Sequence, residues 1–207
     1  MSRRLTTLAA LALLAFGGWQ LAAGGYIHAK AAVAQYLLSH AWARVRAGEA
    51  GAKPWPWADT SPVAQLRSER LDADLLVLAG GSGRTLAFGP GMLDGGAPPG
   101  GAGMTVILGH RDTHFRFLRD LLPDDAISVT GRDGREYEYR VRQRQVVHMD
   151  RGELAMDVPG LALVTCYPFD AVVPGGPLRY VVLAEPVPGA APDNAIPVAT
   201  AAAPARW

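Results

Sequence analysis

Short apolar runs separated by glycine, proline and aspartate recur between residues 63 and 186 and limit the fold more than any other part of the sequence. Runs of this length with turn residues between them are typical of β-strands. Glycine (24) and proline (16) are too plentiful for a helical bundle. The sequence therefore predicts an all-β domain of six to eight strands, either a barrel or a sandwich. The runs are Leu75–Ala79, Thr105–Leu108, Ala126–Thr130, Glu136–Val147, Leu161–Thr165 and Leu178–Ala184.

Two local patterns refine this prediction. Asp133-Gly134 stands between two of the runs, and this dipeptide is a strong signal for a hairpin turn. Residues 115–122 place apolar side chains at helical spacing and are followed by Pro123, which stops a helix. We therefore expect a β-hairpin at residues 133–134 and one or two short helices in the domain.

The N-terminus carries a membrane-anchor pattern. Arg3 and Arg4 precede an uncharged, mostly apolar run from Leu5 to Ala23. About 20 apolar residues are needed to cross a bilayer core, whereas the apolar part of a cleaved signal peptide is usually shorter. The small-residue pattern at residues 29–31 leaves cleavage open as the alternative. The two arginines predict a cytoplasmic N-terminus, so the rest of the chain is expected outside the cytoplasm.

The segments that flank the β domain complete the predicted organisation: residues 1–46 form the anchor and a helix that continues it, 47–62 a Pro- and Trp-rich linker, 63–186 the β domain, and 187–207 an Ala- and Pro-rich disordered tail. In the linker, Trp55 and Trp57 alternate with prolines. They either pack against the domain, which we favour, or lie at the membrane interface, a zone that Trp prefers. A net charge of +1 gives no reason to expect a nucleic-acid partner.

Cys166 is the one cysteine of the chain, and it follows a buried-looking aliphatic strand. Outside the cytoplasm cysteines usually form disulfides, and this one has no partner within the chain. A buried small hydrophobe and an intermolecular bridge are the plain explanations. A thiol presented at a rigid strand end, before Pro168, is also well placed to act as a nucleophile once a base or cation is near.

His110 and Arg179 are the candidates for that base and that cation. His110 follows the aliphatic run 105–108 just as Cys166 follows its own, and a histidine there can exchange a proton with a thiol or an amine. His114 is a rival, but the pair lacks the Glu of a zincin and a third ligand, so we expect no metal and no cofactor. Arg179 stands in an apolar strand one loop after Cys166, where it could stabilise an oxyanion.

The segments LGHRDTHF, LVTCYPF and PLRYVV, in this order, resemble the sortases, most closely the class GN sortases of Gram-negative bacteria. The resemblance covers about residues 63–185. Leu108 stands where the family usually has Ala, Ala162 where it usually has Thr, and Asp124-Asp125 where Gly-Asp is common. The resemblance implies an eight-stranded sortase-type β-barrel and a catalytic set of His110, Cys166 and Arg179.

The resemblance also implies a reaction and a location. Cys166 would attack a carbonyl in an LPxTG-like C-terminal sorting signal of a target protein, and an amine nucleophile would resolve the thioacyl enzyme. His110 would shuttle the proton, and Arg179 would orient the substrate and stabilise the oxyanion, with the hydroxyl or backbone of Thr165 in support. A single-pass protein of the bacterial inner membrane, with its catalytic domain in the periplasm, is expected.

Two alternatives stay open on the residues alone. An L,D-transpeptidase also places His before Cys, but its motif has Arg almost next to the Cys, whereas Arg179 comes a full loop after Cys166. An anchored β domain that only binds a partner, with Cys166 merely buried, would need no chemistry at all. Reactivity of the native thiol toward iodoacetamide separates the enzymes from this second alternative.

Overall fold

The computed structural model describes residues 3–173 and 175–188, and eight β-strands in this part of the chain close into a barrel. The order around the barrel is β1-β2-β3-β4-β7-β8-β6-β5. The predicted eight-stranded barrel with few helices is confirmed. The strands are β1 (Pro62–Ser68), β2 (Ala73–Ala79), β3 (Gly91–Met92), β4 (Met104–Leu108), β5 (Ala126–Gly131), β6 (Glu136–His148), β7 (Gly160–Cys166) and β8 (Leu178–Pro186).

Two of these strands, β1 and β3, were not among the runs named from the sequence. β1 alternates a buried residue with polar ones such as Gln65 and Arg67, so its apolar signal is weak. β3 has two residues inside a Gly- and Pro-rich stretch, too few to show a period. The predicted hairpin joins β5 to β6, with Gly131 N donating to Arg135 O and Gly134 at φ +79°.

The barrel interior is filled by residues that alternate along the strands. Successive side chains of a strand point to opposite faces, so every second position reaches the core. In β7 these positions are Leu161 and Leu163, while Ala162 lies on the outer face in a separate cluster with Met104 and Val106. The interior holds further buried residues from several strands and from the segment after β4: Leu66, Val77, Ile107, Phe115, Leu118, Leu121, Ile127, Val129, Tyr139 and Val182.

Most neighbouring strands run antiparallel, but β2 pairs with β3 in parallel and β4 pairs with β7 in parallel. A parallel pair requires a crossover connection, which for β4 and β7 is the segment that contains β5 and β6. The register pairs Leu108 with Val164 at the carboxyl ends of the two strands. On the other side of β7, strand β8 runs antiparallel and pairs Arg179 with Cys166. The end of β7 therefore lies between the end of β4 and the start of β8.

Helix α1 (Arg3–Arg46) is one continuous helix of 44 residues, long and apolar enough to cross a membrane by length and composition. The large apolar side chains of its first half are exposed. Its last turns pack against the outside of the barrel, where Trp42 and Val45 form a buried cluster with Ala52 and contact Leu76 of β2. Val33, about two and a half turns before Trp42, is 57% exposed.

The remaining helices are short. Helix α2 (Gly83–Leu86) begins after Ser82, whose hydroxyl accepts a hydrogen bond from Thr85 N. Two 3-10 helices occupy Glu69–Leu71 and Arg116–Asp120, and the second fulfils the prediction of a short helix before Pro123. In the linker, Trp55 packs edge-on against Phe88 at 5.2 Å between ring centroids, while Trp57 is 79% exposed. The predicted tail lies outside the described residues from position 189 onward.

Candidate active site

Cys166 is the last residue of β7 and is paired directly with Arg179, near the start of β8. Residues paired directly across an antiparallel ladder have their side chains on the same face. The alternation along β7 places Leu161, Leu163 and Thr165 inside, so Cys166 belongs to the outer face. The thiol is half-buried. Cys166 and Arg179 are therefore neighbours on the outer surface of the barrel.

His110 reaches the same face from the other side. In the parallel β4–β7 pair Leu108 matches Val164, and Gly109 N donates to Val164 O at 3.1 Å, which extends the ladder past the end of β4. His110 lies two residues after Leu108, as Cys166 lies two residues after Val164. The two residues thus have matching positions relative to the last pair of the ladder, Leu108 and Val164. His110 is exposed to solvent.

The Arg179 guanidinium is held by the loop that precedes its own strand. Its Nη1 donates to Gly176 O at 2.6 Å and to Leu178 O at 2.9 Å, and its Nη2 lies 3.6 Å from Met149 Sδ. These partners are two backbone carbonyls and a thioether, none of them a carboxylate. The positive charge of Arg179 is consequently not neutralised by these contacts and is free to attract an anion or a developing oxyanion.

Thr165 points into the barrel and is 2% exposed. Its hydroxyl donates to Gly109 O at 2.7 Å and thereby bridges the ends of β7 and β4. Because Thr165 precedes Cys166 and Gly109 precedes His110, this bond, together with the one from Gly109 N to Val164 O, holds together the strand ends next to the two candidate catalytic residues. The hydroxyl proton of Thr165 is donated to Gly109 O.

Arg111 is a site residue that the sequence reasoning missed. The side chain is 5% exposed, and it donates to Pro168 O and to Ala171 O, each at 2.7 Å. It also contacts Asp112 at 3.3 Å. Arg111 follows His110 directly and therefore ties the His110 segment to the loop that leaves Cys166. The sequence shows Arg111 inside the segment LGHRDTHF. It does not show the partners of Arg111, because the two carbonyls lie 57 and 60 residues away in the chain.

Aromatic side chains also contact the loop that follows Cys166. Phe169 packs edge-on against Tyr180 of β8 at 5.1 Å between centroids, and Tyr167 stacks on Tyr180 at 6.2 Å. Phe169 and Tyr180 also contact the barrel core. The segment after Cys166 is therefore fixed by a buried cation at Arg111 and by an aromatic cluster.

His114 lies near His110, but its environment is different. Burial lowers the pKa of the His114 imidazole, and the charge of nearby His110 lowers it further. His114 also lines a cavity of about 340 Å³ between α1 and the barrel, together with Gln35 and Trp42. Within residues 3–173 and 175–188 no cluster of three or more His, Cys, Asp or Glu is placed to hold a metal ion. The expectation of a metal-free site stays a prediction.

Comparison with known proteins gives one consistent family. Residues 66–187 match the model of the sortase domain. Sortase D of Bacillus subtilis (strain 168) is 30% identical over 125 residues, which are 59% of this chain and 62% of that protein. The chain therefore spans less than two thirds of the length of this relative.

Solved structures lead to the same family. Sortase A from Corynebacterium diphtheriae superposes with a TM-score of 0.57 at 31% identity, covering 63% of either chain. Sortase C-1 from Actinomyces oris superposes with a TM-score of 0.53 at 27% identity, covering 62% of this chain and 76% of that one. These relatives are sortases of types A, C and D, so the assignment to class GN stays a prediction.

Proposed function

Because the chain belongs to the sortase family, we propose that it is a cysteine transpeptidase that cleaves an LPxTG-like C-terminal sorting signal and transfers the target protein to an amine nucleophile. The observation that carries this proposal is the register of three adjacent strands. Parallel pairing of β4 with β7 brings the strand end that precedes His110 against the strand end that carries Cys166, and antiparallel pairing of β7 with β8 pairs Arg179 with Cys166.

Cys166 is the nucleophile of this mechanism. Its thiolate sulfur forms a bond to the carbonyl carbon of the scissile peptide, and the carbonyl electrons move to oxygen. When the tetrahedral intermediate collapses, the C–N bond breaks and a thioester to Cys166 remains. His110 donates the proton that the departing amine requires. An incoming amine then loses a proton to His110, attacks the thioester and releases the thiolate.

Arg179 stabilises the oxyanion in this proposal. Its guanidinium donates to backbone carbonyls, and a negatively charged oxygen on the adjacent Cys166 adduct is a stronger acceptor than a neutral carbonyl. Since the Thr165 hydroxyl is bound to Gly109 O, we assign oxyanion support by Thr165 to its backbone and give the hydroxyl the task of joining the strand ends.

Helix α1 anchors the enzyme in this proposal. The helix is compatible with a single membrane span. With Arg3 and Arg4 on the cytoplasmic side, the barrel lies in the periplasm of a Gram-negative cell, in agreement with the class GN assignment. The substrate is a protein that presents its C-terminal signal at the same membrane surface.

The test is cleavage of a fluorogenic LPxTG-like peptide with hydroxylamine as the amine. We expect Cys166→Ala to abolish turnover with an unchanged circular dichroism spectrum, and His110→Ala and Arg179→Ala each to lower kcat/KM at least about 100-fold. Val172→Ala, at a 96% exposed position of the loop after β7, is the matched control. Full activity of Cys166→Ala, or a native Cys166 inert to iodoacetamide, would overturn the mechanism.

A further inference from the structure

An apolar cleft of about 600 Å³ lies outside the catalytic site, where α1, the linker and α2 meet. One wall is formed by α1 between Lys30 and Leu37, and the other by the linker and α2. The side chains that give the cleft its apolar character are Val33, Leu37, Trp55, Trp57, Ala87 and Phe88. The transpeptidase mechanism uses none of them.

The position of this cleft along α1 ties it to the membrane. The chain has no Asp, Glu, Lys or Arg from Leu5 to Ile27, and Lys30 follows after about one helical turn, roughly 5 Å further along the axis. The headgroup layer on each side of a bilayer core is about 5–8 Å thick. Because the cleft begins at Lys30, its Lys30 end lies at the level of the headgroups when α1 spans the membrane. Val33 follows about 9 Å past Ile27, at the outer edge of that layer, and Leu37, about 15 Å past Ile27, lies beyond it.

The exposed side chains around the cleft are of the kind that this layer accommodates. Trp57 is 79% exposed and Val33 is 57% exposed, although both line an apolar surface. Trp is enriched at the membrane interface, where its ring lies among the lipids and its N–H stays hydrated. Lys30 is also exposed and makes none of the ion pairs found in the described part of the chain, so its ammonium is available to lipid phosphates.

We propose that the Lys30 end of this cleft is a second membrane contact, in which the exposed side chains of Trp57 and Val33 enter the outer part of the lipid headgroup region beside α1. The occupant is the bilayer itself, because the cleft continues the apolar surface of the spanning helix. The proposal rests on the anchoring role of α1. Its consequence is that the barrel is docked on the membrane surface and does not swing freely on its helix.

The test uses the full chain in vesicles whose lipids carry bromine at carbons 6 and 7 of one acyl chain. Trp57 emission is isolated as the difference between the parent and Trp57→Phe, since the other four Trp residues are common to both. The aqueous reference is Arg132→Trp in the Trp57→Phe background, because the β5–β6 turn lies against Arg46 at the far end of α1. We expect Trp57 emission to be blue-shifted and at least about twofold more quenched by the bromolipid than the reference.

Trp57 emission that matches the aqueous reference and is quenched by iodide would overturn the proposal. Emission shielded from both bromolipid and iodide would also overturn it, since a protein surface would then cover the cleft. Vesicle flotation separates these results from a failure of the anchor. A chain that floats with water-exposed Trp57 contradicts only the second contact, and a chain that does not float contradicts the anchor and the contact together.

Discussion

Arg111 carries a charge in a nearly solvent-free position, one residue after His110. Burying a guanidinium is costly unless its donors are satisfied, and here two carbonyls of the loop after Cys166 accept from it. This makes Arg111 a positioning residue, because it touches the loop and not the proposed reacting atoms.

Replacing Arg111 is expected to loosen that loop. Arg111→Met leaves the carbonyl of Ala171 without its donor and leaves Pro168 O with only the long bond from Ala171 N at 3.4 Å, so the free energy of unfolding should fall by about 2–4 kcal/mol. At a temperature where the variant is fully folded, kcat should fall at least about tenfold, because small displacements of reacting groups are costly. Arg111→Lys should recover part of both losses.

The control for this prediction is Arg116→Met, at an exposed position of the following 3-10 helix. Urea denaturation and peptide-cleavage kinetics measure both quantities for the two variants. If Arg111→Met behaved like Arg116→Met in stability and turnover, the loop would have to be held by the aromatic cluster alone.

The pKa of His114 depends on the charge of the nearby His110. Burial is the larger cause of its lowered pKa, and the His110 charge is the smaller. His110→Asn removes the smaller cause only, so the pKa of His114 should rise yet stay below its ordinary value. Titration of the imidazole Cε1–H protons by NMR measures this change. His148→Asn, at the end of β6, should leave the titration of His114 unchanged, and an equal shift in both variants would exclude a direct effect of His110.

At the scale of strands, the bond from the Thr165 hydroxyl to Gly109 O joins the ends of β4 and β7 in addition to their backbone ladder. Thr165→Val is nearly equal in shape but leaves this buried carbonyl unpaired, so we expect a loss of about 1–3 kcal/mol in unfolding free energy. It should also lower kcat, since His110 and Cys166 follow the two bonded residues. Thr165→Ser keeps the hydroxyl and should retain most of the activity.

Urea denaturation and single-turnover acylation of Cys166 measure the two effects of Thr165→Val. Equal rates in Thr165→Val and Thr165→Ser would show that the backbone ladder between β4 and β7 is sufficient to hold the strand ends. The prediction for the hydroxyl would then be wrong, while the proposed role of Cys166 would be unaffected.

At the scale of the whole molecule, α1 belongs to two environments. Its first half is exposed and suited to lipid, and its last turns are part of the packed domain. Trp42→Ala should therefore lower the free energy of unfolding of the barrel by about 3–5 kcal/mol, as expected for a large buried aromatic residue. Val33→Ala, two and a half turns earlier and exposed, should change it by less than about 0.5 kcal/mol.

Hydrogen exchange of the β1 and β2 amides in detergent micelles measures this effect where the helix touches the barrel. The Trp42→Ala variant should lose protection in β2, which supplies the contact through Leu76. Equal protection in Trp42→Ala and Val33→Ala would mean that the helix is only a tether.

Much of this molecule follows from patterns within short segments. Alternating apolar residues, the turn at Asp133-Gly134 and the stop at Pro123 depend on neighbours a few residues apart, so they identified six strands, a hairpin and a short helix. Patterns of the same short range also identified Cys166 and His110, because each follows an aliphatic strand. They did not identify β3, whose two residues are too few to show alternation.

The partners of Arg111 and Thr165 were beyond such patterns, since each bond joins atoms more than 50 residues apart in the chain. The amino-acid sequence was sufficient to identify six of the eight strands and to propose the three candidate site residues, because burial and strand ends leave a local signature. Which strands lie side by side, and in which direction, follows from closing the whole barrel. That closure brings β4 against β7 in parallel, and with it the strand end before His110 against the strand end that carries Cys166.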